Sequence, residues 1–307
     1  MLRYIALRCV YAVAVLLCVA TIVFFLIRLK GDPATLFLPQ MATADDIAVY
    51  KAAHGLDKPL PVQYALFMAG VLHGDFGNSL RYGDSSLALV LQHLPATLTL
   101  ALAAALVGIA IAVPAAVISA RHKGHAPDTA AMLGSLLGQS FPQFWLGLML
   151  ILLVGVRLKM LPPSGGGGLD HLVLPAVTLG LPVAAVLARL LRANLIDVLG
   201  QDYLRTGRAK GLAEWPLLLR HAMKNAALPS MTVFGLQLAA LISNAIIVEY
   251  VFAWPGIGQL ALAAIGLRDF PIVEAFVFVT GGFYAILNLV VDLLYTWLDP
   301  RIRLAPA

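Results

Sequence analysis

The residues able to do chemistry in this chain are few, and most of them fail the spacing that chemistry needs. Gly165 to Gly168 form a run that could cradle a phosphate, but a nucleotide loop also needs a Lys and a hydroxyl residue just after the last glycine. Leu169 and Asp170 follow instead, and no Gly-Lys-Ser/Thr occurs anywhere in the chain. The seven histidines (54, 73, 93, 122, 125, 171 and 221) all fall outside the long apolar runs and read as loop residues. None is therefore placed to activate an intramembrane serine. An aspartyl centre needs two facing acids, and Asp292 has no counterpart in its surroundings. His122 and His125 share a segment but lack a carboxylate in a ligand arrangement, so no metal site is expected. Cys9 and Cys18 both lie in the first apolar run and read as small apolar fillers. Enzyme chemistry on this chain is thus not expected. Glu249 could titrate a proton in an ion-coupled carrier, although it sits at one end of its run and no half-to-half repeat accompanies it.

The elements that position these residues follow from composition. Of 307 residues, 61% are hydrophobic and 12% charged, about half the charge of a soluble chain. Such a chain needs lipid as its solvent. The net charge of +5 is too small and too dispersed between apolar blocks for nucleic-acid binding. Six apolar runs, Cys9–Ile27, Leu94–Ser119, Ala131–Gly155, Leu172–Ala188, Leu228–Tyr250 and Val273–Leu293, approach or exceed the roughly 20 residues needed to cross hydrocarbon as a helix. The expected fold is all-α and integral to the membrane, with six transmembrane helices. The first run is too long for a signal-peptide core and reads as an uncleaved anchor over residues 1–27.

Even crossings put both termini on one side. The segments on that side (1–8, 120–130, 189–227, 294–307) carry 13 Lys/Arg in 72 residues, against eight in 104 on the other (28–93, 156–171, 251–272). Positive charge favours the cytoplasm, so an N-in/C-in orientation is expected. Residues 28–93 then form a small external cap, with turns at Gly31-Asp32-Pro33, Pro59-Leu60-Pro61 and Gly74-Asp75-Phe76-Gly77 and amphipathic stretches at Thr43–His54 and Val62–Leu72. Residues 94–307 form a five-helix core whose inside segment 189–227 holds seven of the 13 inside basic residues.

Within that segment, Asp202 to Leu212 places Tyr203, Leu204 and Gly207 on one helical face, with Gly211 a turn later and Arg205, Arg208 and Lys210 projecting elsewhere. This is either a basic helix lying on the membrane or one whose small residues admit a partner. Asp202–Gly211, followed by Arg220-His221-Ala222-Met223-Lys224-Asn225-Ala226-Ala227-Leu228-Pro229, resembles the cytoplasmic "EAA" loop of permease subunits in binding-protein-dependent ATP-binding-cassette importers, in its peptide/nickel form. The resemblance extends through Val248–Gly258, Arg268-Asp269-Phe270-Pro271, Asn288–Tyr295 and Leu298–Arg303. Upstream it takes in Gly31-Asp32-Pro33, Gly55–Leu60, Gln63-Tyr64 and Gly74–Ser79, and so covers nearly the whole chain. Where the generic motif opens Glu-Ala-Ala, this chain has Arg205, Thr206 and Gly207. The peptide branch commonly has Arg-Thr-Ala, which leaves Gly207 as the departure. Its missing Cβ costs about 1 kcal/mol of helix propensity and would loosen the docking helix.

The resemblance implies a permease half in a bacterial inner membrane, paired with a second, related permease. Two cytoplasmic ATPase subunits would bind ATP and Mg²⁺, no cofactor residing on this chain, and an external binding protein would deliver substrate. The implied contact with the ATPase is Tyr203, Arg205, Thr206, Gly207, Arg208, Ala209, Lys210 and Gly211. Gln237, Ser243 and Asn244 in the fifth run and Asn288 in the sixth face either partner helices or the pathway. Glu249, bordering Trp254-Pro255-Gly256, is either part of an outer gate or a carboxylate reaching the headgroups. Di- or oligopeptides are the implied cargo. Nickel or metal chelates and glutathione are open alternatives within the family, and ion-coupled transport is the alternative outside it.

Overall fold

The computed structural model describes residues 2–29, 43–53, 55–79 and 81–298, and among them the secondary structure is helical apart from one bridge between Asn78 and Ser85. The turn at 31–33, His54 and the motif at 299–303 lie outside the described residues. In chain order the helices are α1 (Leu2–Leu29), α2 (Ala44–Ala53), α3 (Leu60–His73), α4 (Ser86–Arg121), α5 (Ala126–Ser140), α6 (Gln143–Arg157), α7 (Leu169–Leu199), α8 (Asp202–Ala209), α9 (Glu214–Phe252), α10 (Ile257–Leu267) and α11 (Phe270–Leu298). By length and apolarity, α4, α7, α9 and α11 suffice to cross a membrane, and α5 with α6 makes a fifth if the pair is one span.

The third apolar run is not one helix. It breaks at Phe141-Pro142, and α5 and α6 meet at 103°. Pro142 has no N–H to donate and its ring pushes the preceding residue out of the helical region. Phe141 is accordingly extended, at φ −83°, ψ 134°. The sequence pattern shows only apolarity here, which both halves share. Helices elsewhere outrun the apolar stretches that predict them. α7 continues to Leu199 and α9 starts at Glu214, so only residues 200–213 of the inside segment 189–227 connect the two. For the same reason His73, His93, His171 and His221 sit in helices rather than loops. Apolarity reports contact with lipid, and a helix continues past it wherever its polar end can be solvated. α9 begins through a π-helical stretch, Leu217–Ala222, and α6 ends in another, Ile151–Arg157.

The chain divides into two compact units. In the first, residues 1–97 and 255–289, α1 packs on α3 through Phe24, whose ring lies 5.3 Å from Tyr64 and 5.4 Å from Phe67. Thr21 and Tyr64 share a hydrogen bond of 2.8 Å on the same seam. A core of Val71, Phe76, Leu89, Val90, Ile257, Leu260 and Ile272 completes it. Ser79 Oγ donates at 2.6 Å to the buried carboxylate of Asp269, 190 residues away.

In the second unit, residues 98–254 and 290–307, α7 packs against α5, α6 and α9. Of α4, α7, α9 and α11 it is the most buried. Small residues admit α4 as well. A Cβ on Gly180 would lie 2.6 Å from the Ala104 carbonyl oxygen, and one on Gly108 would lie 3.1 Å from Val183 Cγ1. Lipid offers no hydrophobic drive between helices, so such close approach supplies the dispersion contacts that hold them. Gly180→Ala would set a methyl against backbone that cannot rotate away. It is expected to lower stability by about 1–3 kcal/mol, read as a lower unfolding midpoint in detergent, whereas Gly134→Ala, with open space around it, should leave the midpoint unchanged or raise it.

Candidate functional site

The connection between α7 and α9 carries the short helix α8. Leu204 and Gly207 are buried beneath it, while Arg205, Thr206, Arg208, Ala209 and Lys210 are exposed. Leu204 enters an apolar core built from Ala116, Val117 and Ala120 of α4, Leu191, Leu195 and Val198 of α7, and Leu217, Leu218, Ala222 and Ala226 of α9. Tyr203, 40% exposed, accepts a hydrogen bond of 2.8 Å from Asn225 Nδ2 of α9. The helix ends where Gly211 turns left-handed at φ +80°. Leu212 N–H then donates to the Gly207 carbonyl at 3.2 Å and Gly211 N–H to the Arg208 carbonyl at 2.9 Å, the doubled closure that a glycine just past a helix end permits.

Gly207 lies where α8 meets the start of α9. A Cβ there would stand 2.6 Å from Leu217 Cδ1, so the missing methyl is the space that Leu217 occupies. The propensity lost by glycine is offset by a close approach between α8 and the start of α9. The basic side chains make only exposed pairs, Arg208 Nε with Glu214 Oε1 at 2.8 Å and Arg205 with Asp202 at 3.6 Å, which hold little energy in water. α8 is therefore a polar, cationic ridge on an apolar seat.

The remaining candidates separate. Ser243 and Asn244 are exposed on α9, and Gln237 and Asn288 are half-buried on α9 and α11. Glu249 is fully buried, away from the exposed position that a carboxylate reaching the headgroups requires. Nearby, Ala253 turns left-handed at φ 49° and ends α9, and Trp254, itself buried, donates its N–H to the Glu249 carbonyl at 2.9 Å. Gly165 of the glycine-rich loop donates to the Phe252 carbonyl at 2.8 Å. That loop is thus tied to the end of α9.

Sequence reasoning missed two features beside α8. Leu217 was invisible as the partner of Gly207. Ser119, Asp128 and Arg192, counted only as charge or as apolar-run ends, converge in space. The one signal available was an acid, Asp128, standing alone among the basic residues of segment 120–130.

Comparison with known proteins gives the family. Residues 112–304 match the family described as binding-protein-dependent transport system inner membrane component, and residues 1–101 match its N-terminal companion family. A glutathione transport system permease protein of Salmonella choleraesuis (strain SC-B67) is 40% identical over 308 residues, 99% of each chain. A probable peptide ABC transporter permease protein of Sinorhizobium fredii (strain NBRC 101917 / NGR234) is 38% identical over 309 residues, covering 98% of this chain and 99% of its own. Among solved structures, the MetNI methionine ABC transporter in inward-facing conformations aligns with TM-score 0.53 at 16% identity, over 69% of this chain and 96% of the other. A crystal structure of an amino acid ABC transporter with histidines gives 0.52 at 16%, over 70% and 94%. These two carry the fold alone.

Gly207→Ala is expected to push Leu217 aside and loosen the seat of α8 by about 1–3 kcal/mol, read as faster amide exchange over residues 202–222. Shortening the neighbour as well, Gly207→Ala with Leu217→Val, should restore protection; unchanged exchange in the single variant would show that the close approach is not needed.

Proposed function

The chain belongs to the family of binding-protein-dependent transport system inner membrane components, as an ABC importer permease of the peptide/nickel type, and on that premise we propose how it works. It forms half of a translocation pathway, the other half being a second, related permease. Two cytoplasmic ATPase subunits bind ATP and Mg²⁺, and an external binding protein delivers cargo. α1, α4, the α5–α6 pair, α7, α9 and α11 are the six crossings, with both termini inside and residues 28–93 outside. This family membership sets aside the ion-coupled carrier.

The observation that carries the reading is α8: a cationic ridge that leaves Arg205, Arg208 and Lys210 exposed and whose buried face touches α4, α7 and α9 at once. A displacement applied to it reaches three membrane helices together. Coupling requires an element that the two states of the engine contact differently, and Tyr203 to Gly211 supply that contact. Ser243 and Asn244, exposed on α9, face the second permease or the pathway, since lipid would leave their polar groups unpaired. Glu249 and Trp254 hold the outer end of α9, where the chain leaves the helix, and serve as part of the outer gate.

For cargo we take short peptides, glutathione included. The relatives named for glutathione and for peptides are matched over almost their full length. Glutathione is itself a tripeptide, so the two names describe one chemical class.

Arg205→Glu reverses charge on the exposed ridge without touching the core, and Gly207→Trp destroys the seat. Both are expected to reduce co-purification of the ATPase subunits about tenfold or more, Arg205→Glu because like charges set against each other at an interface cost several kcal/mol and Gly207→Trp because its ring has no room beside Leu217. Uptake should fall in parallel. Undiminished association and transport in Arg205→Glu would remove α8 as the docking element.

A further inference from the structure

Beside the seat of α8, three helices meet at one carboxylate. Arg192 of α7 sets its guanidinium fork on Asp128, Nε to Oδ1 and Nη2 to Oδ2, both at 2.6 Å. Arg192 Nε also donates to Ser119 Oγ of α4 at 2.9 Å, and Ser119 in turn donates to Asp128 Oδ1. Gly124 N–H, in the turn between α4 and α5, donates to Oδ2 at 2.9 Å. Both carboxylate oxygens are therefore filled by donors from α4, from the turn and from α7. The Asp128 side chain is 7% exposed and that of Arg192 23%.

This cluster and the apolar seat use the same helical turns. Ser119 sits among Ala116, Val117 and Ala120, and Arg192 lies next to Leu191 and one turn from Leu195, all of them in the core that receives Leu204 of α8. A second tie comes from the residue that ends α4: the Arg121 guanidinium lies 4.6 Å from the centre of the Trp215 ring, at the start of α9. The α4–α5 turn is thus fastened both to the helix that precedes α8 and to the helix that follows it.

We propose that Ser119, Asp128 and Arg192 are a clasp that makes the α4–α5 turn, the end of α7 and the seat of α8 one rigid lever, and that the clasp sets how much of each ATP-driven displacement reaches the membrane. Apolar residues of like volume would hold these helices together at least as well, because desolvating an ion pair offsets much of its attraction. What the planar fork adds is direction, since two parallel bonds fix angle as well as distance. A lever needs that property, whereas a packed core does not. Arg192 is a positioning residue, acting through Ser119 and Asp128. The inference rests on α8 being the docking element proposed above.

The test uses the complete importer in nanodiscs and proteoliposomes. Spin labels are placed at Lys123→Cys and Gln201→Cys, exposed positions on the turn and at the N-terminal cap of α8, outside the Tyr203–Gly211 contact, in a Cys9→Ser, Cys18→Ser background. With the clasp intact, the distance between the labels should be the same without nucleotide and in the ATP-trapped state. Arg192→Lys keeps the charge but loses the fork, and should broaden the distribution and make it shift with nucleotide. At equal amounts of assembled complex, uptake of radiolabelled glutathione and trialanine per ATP hydrolysed should fall about two- to thirtyfold, the range of measured coupling changes. A merely structural role would lower the amount of assembled complex and leave that ratio unchanged. Either a nucleotide-dependent distance with the clasp intact or an unchanged ratio in Arg192→Lys overturns the proposal. Should Arg192→Lys fail to assemble, Ser119→Ala removes one donor and must lower the ratio, or the clasp is not the lever. A photo-cross-linker at Lys210 reports docking separately. If it never reaches an ATPase in the wild type, the docking reading fails, whatever the label distance shows.

Discussion

In hydrocarbon a backbone N–H or carbonyl has only another backbone or a protein side chain to bond, and the architecture of this chain follows from that constraint. It explains why nearly every described residue outside short connections is helical. It also explains how the connections behave. α8 closes its own end through Gly207, Arg208, Gly211 and Leu212, the glycine-rich loop bonds the last turn of α9 through Gly165 and Phe252, and Arg268 and Asp269 return N–H groups to the end of α10. Irregular backbone occurs where another part of the protein can receive it.

Side-chain volume then decides which helices touch. Gly108 and Gly180 bring α4 against α7, and a Cβ on Gly147 of α6 would lie 3.1 Å from the Phe252 ring of α9. The same economy appears in the first unit, where Gly74-Asp75-Phe76-Gly77-Asn78-Ser79 and Arg268-Asp269-Phe270-Pro271, separate strings in the sequence, meet through the Ser79–Asp269 bond, and Phe76 packs on Phe278 two turns further along α11. Two distant motifs are thus one structural feature.

The sequence made the helical class, the membrane setting and the basic segment between α7 and α9 legible, because apolar run length and charge asymmetry are one-dimensional signals. The break at Phe141-Pro142 was written in a single proline inside an apolar run. Pro175, Pro182 and Pro229 are tolerated within helices in the same chain, so a proline alone does not announce which outcome its neighbours will enforce. Burial of Glu249 and the convergence of Ser119, Asp128 and Arg192 depend on three-dimensional packing and leave no periodic trace. Gly207 was visible as a departure, yet its meaning was hidden in Leu217, ten residues on.

Gly207 and Leu217 also set a limit on the exchange of parts. A methyl absent at position 207 and an isobutyl group present at 217 form a matched lock across two helices. Replacing α8 alone by a helix with a bulkier residue at that point would import half of a lock. The exchangeable part is the whole stretch from Tyr203 to Leu217, because only that length carries both halves.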